Sequence, residues 1–332
     1  MAVNIKDVAR KANVSISTVS RVINDSKPVS DEIKKRVFDI IEETGYVPNP
    51  VARSLVMKKS RLIGIIVPDI ANYYTGELLN AFEEIAKTYD YEVILCNTYG
   101  DFQQELRYLK LLESKQVEGM IFLSFKWDEA HQAFFERCNL PVVLVNRAAV
   151  NDRVFTVSID HGKAVYEMTS EMIKRGHREL MLIRNGETED VFGTEQLEGF
   201  RRALEEHGLP FRPEWVANGH YQANDAYDAV AALLKAGQRP TAIVTTTDDM
   251  AVGAINCLVD NGISVPGEVS VTGFYDTTLA TLYRPKLTTV QHPIYDIGAI
   301  AIRMLIKKID GQEIEEKHVR LPHGMVFRES SR

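Results

Sequence analysis

Cysteine is nearly absent. Cys96, Cys138 and Cys257 stand far apart in 332 residues, with no histidine beside them at ligand spacing. That opposes both a disulfide framework and a zinc site, and the three read as reduced core thiols. No apolar run approaches the ~20 residues that a membrane helix requires. The first apolar stretch is broken by Lys6, Asp7 and Arg10, so no secretory core forms and a cytoplasmic chain is expected. There is no P-loop, no Gly-x-Ser-x-Gly elbow and no compact metal motif. The adjacent carboxylates Asp248 and Asp249 fall at a helix start, where they can act as caps. Neither catalysis nor a cofactor nor a metal is expected.

What the chain does have is a core's worth of apolar residues, 45% hydrophobic with 26% charged, in a length that implies two or three domains. The net charge of −7 is unevenly spread. Residues 1–60 carry 11 Lys and Arg against 7 Asp and Glu, a balance of +4, and the rest carries −11. A small basic head before an acidic body fits a chain whose head alone approaches phosphates, although a solvated surface would look the same.

In the head, Asn4 can cap a short helix that places Ile5, Val8 and Ala9 on one face. Asn13 suits a positive φ in a tight connection, and Ser15 caps a second helix running to about Asn24, with Val19, Val22 and Ile23 inward. Ser30 can cap a third helix, Asp31 to Thr44, in which Ile33, Val37, Ile40 and Ile41 complete the core and Gly45 ends the run. Three such helices suit a nucleic-acid reader or a protein-docking bundle equally.

The residues Ile5-Lys6-Asp7-Val8-Ala9, then Val14-Ser15-Ile16-Ser17-Thr18-Val19-Ser20-Arg21-Val22-Ile23-Asn24, resemble the LacI/GalR helix-turn-helix almost position for position. The likeness continues through Gly45-Tyr46-Val47-Pro48-Asn49 and Val51-Ala52-Arg53-Ser54-Leu55, which is similar to the family's hinge. The resemblance implies a DNA-binding domain over 1–48, a hinge helix and linker over 49–60, and a two-lobed effector-binding and dimerisation domain over 61–332. It implies that Ser15 to Arg21 enter the major groove, where Ile16 meets a thymine methyl and Ser17 and Arg21 face bases, Arg21 able to grip guanine with two hydrogen bonds. Thr18 and Asn24 would hold phosphates, and Leu55 would wedge between central base pairs once the hinge folds on DNA.

From Arg61 onward apolar runs alternate with helical stretches. Leu62–Val67, Glu92–Cys96, Met120–Leu123 and Val142–Val145 form one series; Leu180–Ile183, Ala242–Thr245 and Val269–Thr272 form a second. The expected fold is therefore an all-α head followed by an α/β core of two doubly wound parallel-sheet lobes. That core is similar to periplasmic sugar-binding proteins, which implies a cleft between the lobes and crossovers near Asp160, Val290 and Pro322. The body alone would suit a solute-binding protein; the head argues for a regulator.

Ligands of such sheets meet the carboxyl ends of strands. The loops there offer Tyr73, Tyr74, Ser124, Arg147, Asp160, Gln196, Tyr221, Asp248 and Tyr275 as effector contacts, aromatic faces for sugar C–H groups and polar groups for hydroxyls, though each could equally be a loop cap. Two positions depart from the family: Gln196 stands where many members have arginine, and Tyr275 where aspartate is common, which removes two charge-assisted hydrogen bonds. Finally, Tyr295 to Leu305 resembles the matching helix of the family's catabolite control proteins. The likeness implies that Tyr295, Asp296 and Arg303 can contact a seryl-phosphorylated phosphocarrier protein as corepressor. The expected function is a dimeric repressor of carbohydrate-utilisation genes that binds double-stranded operator DNA under a small carbohydrate-derived effector, with the phosphoprotein corepressor as the alternative.

Overall fold

The structure is a computed structural model that describes residues 3–25, 27–46, 59–124, 128–147, 154–185 and 191–332. Two compact units emerge, Met1–Arg61 and Leu62–Arg332.

In the first unit, α1 (Ile5–Ala12) begins with a reciprocal capping box between Asn4 and Asp7 and ends on Asn13, which takes the left-handed φ of 52°. Asparagine tolerates that conformation, so the chain turns there without a glycine. The second helix, α2 (Ile16–Asn24), is capped by Ser15, whose Oγ accepts the Thr18 N–H at 3.0 Å. The third, α3 (Asp31–Thr44), stops at Gly45 with φ 62°. Ser30 occupies its N-cap position but makes no side-chain capping bond, in contrast to the expectation; Asp31 and Glu32 complement the exposed N–H groups of the first turn instead. Val8, Ala12, Val19, Val22 and Val37 form the sealed centre of this unit, flanked by Ile33, Ile40 and Ile41.

The second unit holds two six-stranded sheets. The first lobe runs β1 (Leu62–Val67), α4 (Tyr73–Thr88), β2 (Glu92–Asn97), α5 (Phe102–Ser114), β3 (Gly119–Phe122), α6 (Glu129–Arg137), β4 (Val142–Val145) and β5 (Phe155–Ser158). The chain then crosses to α7 (His161–Lys174), β6 (Leu180–Arg184), α8 (Val191–Glu206), β7 (Val216–Asn218), α9 (Ala223–Lys235), β8 (Ala242–Thr245), α10 (Asp248–Asp260), β9 (Ser270–Tyr275), α11 (Thr278–Leu282) and β10 (Thr288–Gln291). It returns for α12 (Ile294–Ile309) and β11 (His318–Arg320), and crosses a third time to β12 (Gly324–Val326).

The strand orders are β2-β1-β3-β4-β5-β11 and β7-β6-β8-β9-β10-β12, parallel throughout except that β12 runs antiparallel to β10. Buried on both faces, strands such as β3, β4 and β8 need apolar residues at consecutive positions, which is why they read as unbroken runs. In each sheet the order reverses beside the first strand of the lobe, β1 or β6, and that reversal opens a crevice at the strand ends. The three crossovers, at 159–160, 292–293 and 321–323, bring both crevices face to face.

Helix α12 returns to the first lobe and packs on α4. The approach is close enough that a Cβ on Gly298 would lie 2.6 Å from the Ala81 Cβ. A side chain there would push the helices apart.

Candidate functional site

The outward face of α2 presents Ser15, Ile16, Ser17 and Arg21 to solvent, with Thr18 half-buried. Ile16 is 44% exposed although its neighbours Val19 and Val22 are sealed in the core. A large apolar side chain held outward on the first turn of a capped helix is available to meet an apolar group on a partner. The Ser15 hydroxyl bonds those of Ser17 and Thr18 at 2.7 and 2.8 Å, which fixes the first turn. The Arg21 side chain projects about one and a half turns from the helix start, beyond the Ser15 cap. Such a helix matches the width of the DNA major groove. The side chain of Asn24 and the whole of Leu55 lie outside the described residues.

The second candidate is the interlobe cleft, lined by Asn72, Tyr74, Thr75, Leu123, Ser124, Asn146, His161, Gln196, Tyr221 and Tyr275. Of the nine residues expected to contact an effector, Tyr74, Ser124, Gln196, Tyr221 and Tyr275 come together here. Tyr73, Arg147, Asp160 and Asp248 do not line it. Tyr73 opens α4 and is 42% exposed. Arg147 is buried behind Ser124, donating from Nη2 to the Ser124 carbonyl at 3.3 Å. Asp160 caps α7, accepting the Lys163 N–H at 2.8 Å, and lies 3.8 Å from Arg320. Asp248 is sealed from solvent and accepts hydrogen bonds from the Thr277 N–H and hydroxyl and from the Thr289 hydroxyl. Burial raises its pKa to about 7 against those hydrogen bonds, which favour the carboxylate.

Asn72, Asn146 and His161 line the cleft but were missed by the sequence reading. Each adjoins a residue that was singled out, so the loop was right and the side chain was not. Asn72 caps α4 and donates from Nδ2 to Asp249 Oδ2 at 3.2 Å, joining the two lobes. Burial, with Asp69 adding to it, raises Asp249 to about 6.

At the centre the cleft is aromatic. Tyr74 of the first lobe stacks on Tyr275 of the second, ring centres 4.1 Å apart and planes 22° from parallel. His292 stands edge-on to both at 5.3 Å. His161 stacks on Phe274 at 5.7 Å. Burial drives the two histidines toward the neutral form, His161 down to about 3 and His292 well below the ordinary value. The Tyr74 hydroxyl accepts from Asn146 Nδ2 at 2.5 Å, and burial raises its pKa.

A third feature is the exposed face of α12. Tyr295, Asp296 and Arg303 fall within about 100° of one another around the helix axis and all are exposed. The Tyr295 hydroxyl donates to Glu84 Oε1 of α4 at 3.0 Å, a bond that raises the Tyr295 pKa.

Comparison with known proteins identifies the architecture. Residues 4–49 match the family described as bacterial regulatory proteins of the lacI family, and residues 60–329 match the periplasmic binding proteins and sugar-binding domain of the LacI family. Catabolite control protein A of Priestia megaterium is 38% identical over 332 residues, covering 100% of both chains. HTH-type transcriptional regulator RegA of Clostridium saccharobutylicum is 38% identical over 331 residues, again covering 100% of both. Among solved structures, the Lac repressor dimer bound to operator and the anti-inducer ONPF superposes with a TM-score of 0.89 at 25% identity over 99% of each chain. The transcription regulator CcpA of Lactococcus lactis gives a TM-score of 0.76 at 29% identity, covering 82% of this chain and 99% of that one. With both family descriptions matched and full-length relatives that are regulators, the chain belongs to the LacI family and is a DNA-binding transcriptional regulator.

Proposed function

We propose that this regulator is a homodimeric repressor of carbohydrate-utilisation genes that reads a pseudopalindromic operator through α2 and answers to a small carbohydrate-derived ligand in the interlobe cleft. The observation that carries the DNA reading is the outward row Ile16, Ser17 and Arg21 on a helix whose start is fixed by the Ser15 cap. Thr18 and Asn24 would hold phosphates beside it, and Leu55, read from the sequence alone, would wedge into the minor groove. The cleft reading rests on Tyr74, Ser124, Gln196, Tyr221 and Tyr275 converging between lobes. A ligand touching both lobes alters their relation only if it binds one arrangement better than the other.

A second reading places the signal on α12, where a seryl-phosphorylated phosphocarrier protein would meet Tyr295, Asp296 and Arg303. It is favoured by the exposure of all three, by the Tyr295–Glu84 bond that holds the ring, and by the full-length likeness to catabolite control proteins. Operator-binding titrations of the purified chain with sugars, sugar phosphates and the phosphorylated carrier separate the two. A sugar that changes operator affinity independently of Arg303→Ala supports the cleft. Enhancement by the carrier alone, lost in Arg303→Ala, supports the α12 face. Absence of sequence-selective DNA binding would sink both.

A further inference from the structure

Tyr275 stands at the end of β9 with φ 106°, and the next residue, Asp276, has φ 56°. A positive φ is costly for a bulky side chain because Cβ crowds its own backbone, so it persists only where the surroundings enforce it. They do so on the C-terminal side. Asp276 forms an ion pair with Arg328 at 2.6 Å. The Thr277 N–H and hydroxyl are both held by Asp248, at 2.8 and 2.9 Å. Asp248 itself fits only because residue 273 is glycine: a Cβ there would lie 2.3 Å from its Oδ1. The Tyr275 carbonyl accepts the His292 N–H at 3.2 Å.

The consequence of this enforced conformation is a ring aimed across the cleft onto Tyr74. Both rings are almost fully buried. The Gln196 and Asn146 side-chain carbonyl oxygens that line the same cleft are also buried and have no hydrogen-bond partner among the described residues. Buried carbonyl oxygens without partners are costly, and in a binding cleft they mark where a ligand's hydroxyls would donate. Two more contacts cross between the lobes nearby, Asn72 to Asp249 and the Thr278 N–H to Glu77 Oε1 at 2.7 Å.

From this arrangement we infer that Tyr275 is a built-in occupant of the interlobe cleft, its ring standing where a ligand would stand and latching the two lobes together. The inference rests on the reading of the cleft as the signal-receiving site and specifies how that site works. A ligand entering the cleft must displace the ring from Tyr74, so it acts by opening the lobes. The groups it would then meet, Ser124, Asn146 and Gln196, are uncharged donors and acceptors, which suits a neutral polyhydroxylated molecule over an anion.

Hydrogen exchange on the full-length, ligand-free and DNA-free chain tests the latch. Tyr275→Gly removes the ring and also relieves the positive φ, so the loop keeps its path and the fold is retained. Tyr74→Ala removes the partner ring from the other lobe. Both variants are expected to exchange at least about tenfold faster than wild type over residues 72–78 and 275–280, while β1 and β8 keep wild-type protection and report an intact fold. Tyr275→Phe, which keeps the ring, is expected to match wild type. Wild-type protection of 72–78 and 275–280 in either folded variant overturns the latch, as does equal deprotection in Tyr275→Phe. Because neither operator nor sugar is present, an operator affinity unmoved by any sugar would overturn the reading of the cleft as the signal-receiving site without touching this result.

Discussion

Asp248 and Thr277 are joined twice: one carboxylate oxygen accepts both the main-chain N–H of Thr277, at 2.8 Å, and its hydroxyl, at 2.9 Å. The other oxygen accepts the Thr289 hydroxyl at 2.7 Å. The carboxylate therefore fastens the start of α10 to the β9–α11 loop and to β10. Asp248→Ala would strand three buried donors, each costing about 1–3 kcal/mol when left unmade. The expected loss is about 3 kcal/mol, read as a lower urea midpoint. A ligand contact would behave differently, with binding impaired at unchanged stability, and that outcome would remove the anchoring role.

For DNA, the exposed guanidinium of Arg21 and its place on α2 lead to a specific expectation. Arg21→Ala should weaken binding to the preferred operator by roughly 1–3 kcal/mol per bidentate contact and relax selectivity at one base pair in each half-site. Binding measured across a panel of single-base operator variants checks it. Equal losses on all sequences would make Arg21 a phosphate contact.

The pH dependence follows from burial. His161 is held neutral, with its pKa lowered from 6.5 to about 3, first by desolvation. The unfolded chain takes up that proton as pH falls below 6.5 and the folded chain does not, so this stability is present above 6.5 and is lost as pH falls toward 3. From pH 6.5 to 5 the loss is about 2 kcal/mol for one residue. The carboxyls of Asp248, raised from 3.8 to about 7, and Asp249, raised from 3.8 to about 6, work in the opposite direction: their folded forms take up protons first, so the stability present below pH 3.8 is lost as pH rises from there through the folded values. Comparison of wild type with His161→Phe isolates the histidine. The variant is expected to lose less stability between pH 7 and 5, and parallel curves would show that His161 is not held neutral.

Much of this was legible in the sequence, for a physical reason in each case. The runs Leu62–Val67 and Ala242–Thr245 announce themselves because central parallel strands are buried on both faces. Ile16 stood out because its phase differs from that of Val19 and Val22. By contrast β10 reads Thr-Thr-Val-Gln, and its two threonines are buried only because distant groups bond them: Thr288 Oγ1 lies 2.7 Å from Ser331 Oγ, and Thr289 donates to Asp248. Asp248 looked like a ligand group for the same reason, since its partners lie 29 and 41 residues away. The sequence marked Tyr275 as a departure from the family, but only the fold brings it onto Tyr74, 201 positions earlier in the chain.

Gln196 offers a contrast with Asp248 that separates binding from stability. It is buried against the cleft, and its Oε1 has no hydrogen-bond partner among the described residues. Removing a buried carbonyl that makes no bond loses none of the energy that a satisfied group contributes, and it relieves a desolvation cost. Gln196→Leu, close in volume, is therefore expected to unfold within about 1 kcal/mol of wild type. If the cleft receives a neutral carbohydrate, the same change deletes one acceptor for its hydroxyls and should weaken the ligand's effect on operator binding about tenfold, the equivalent of roughly 1.4 kcal/mol. Thermal or urea unfolding gives the first quantity and operator titration at a series of sugar concentrations gives the second. A variant that loses stability but keeps its sugar response would place Gln196 in the framework of α8, and the cleft would then have to recognise its ligand through Asn146, Ser124 and Tyr221.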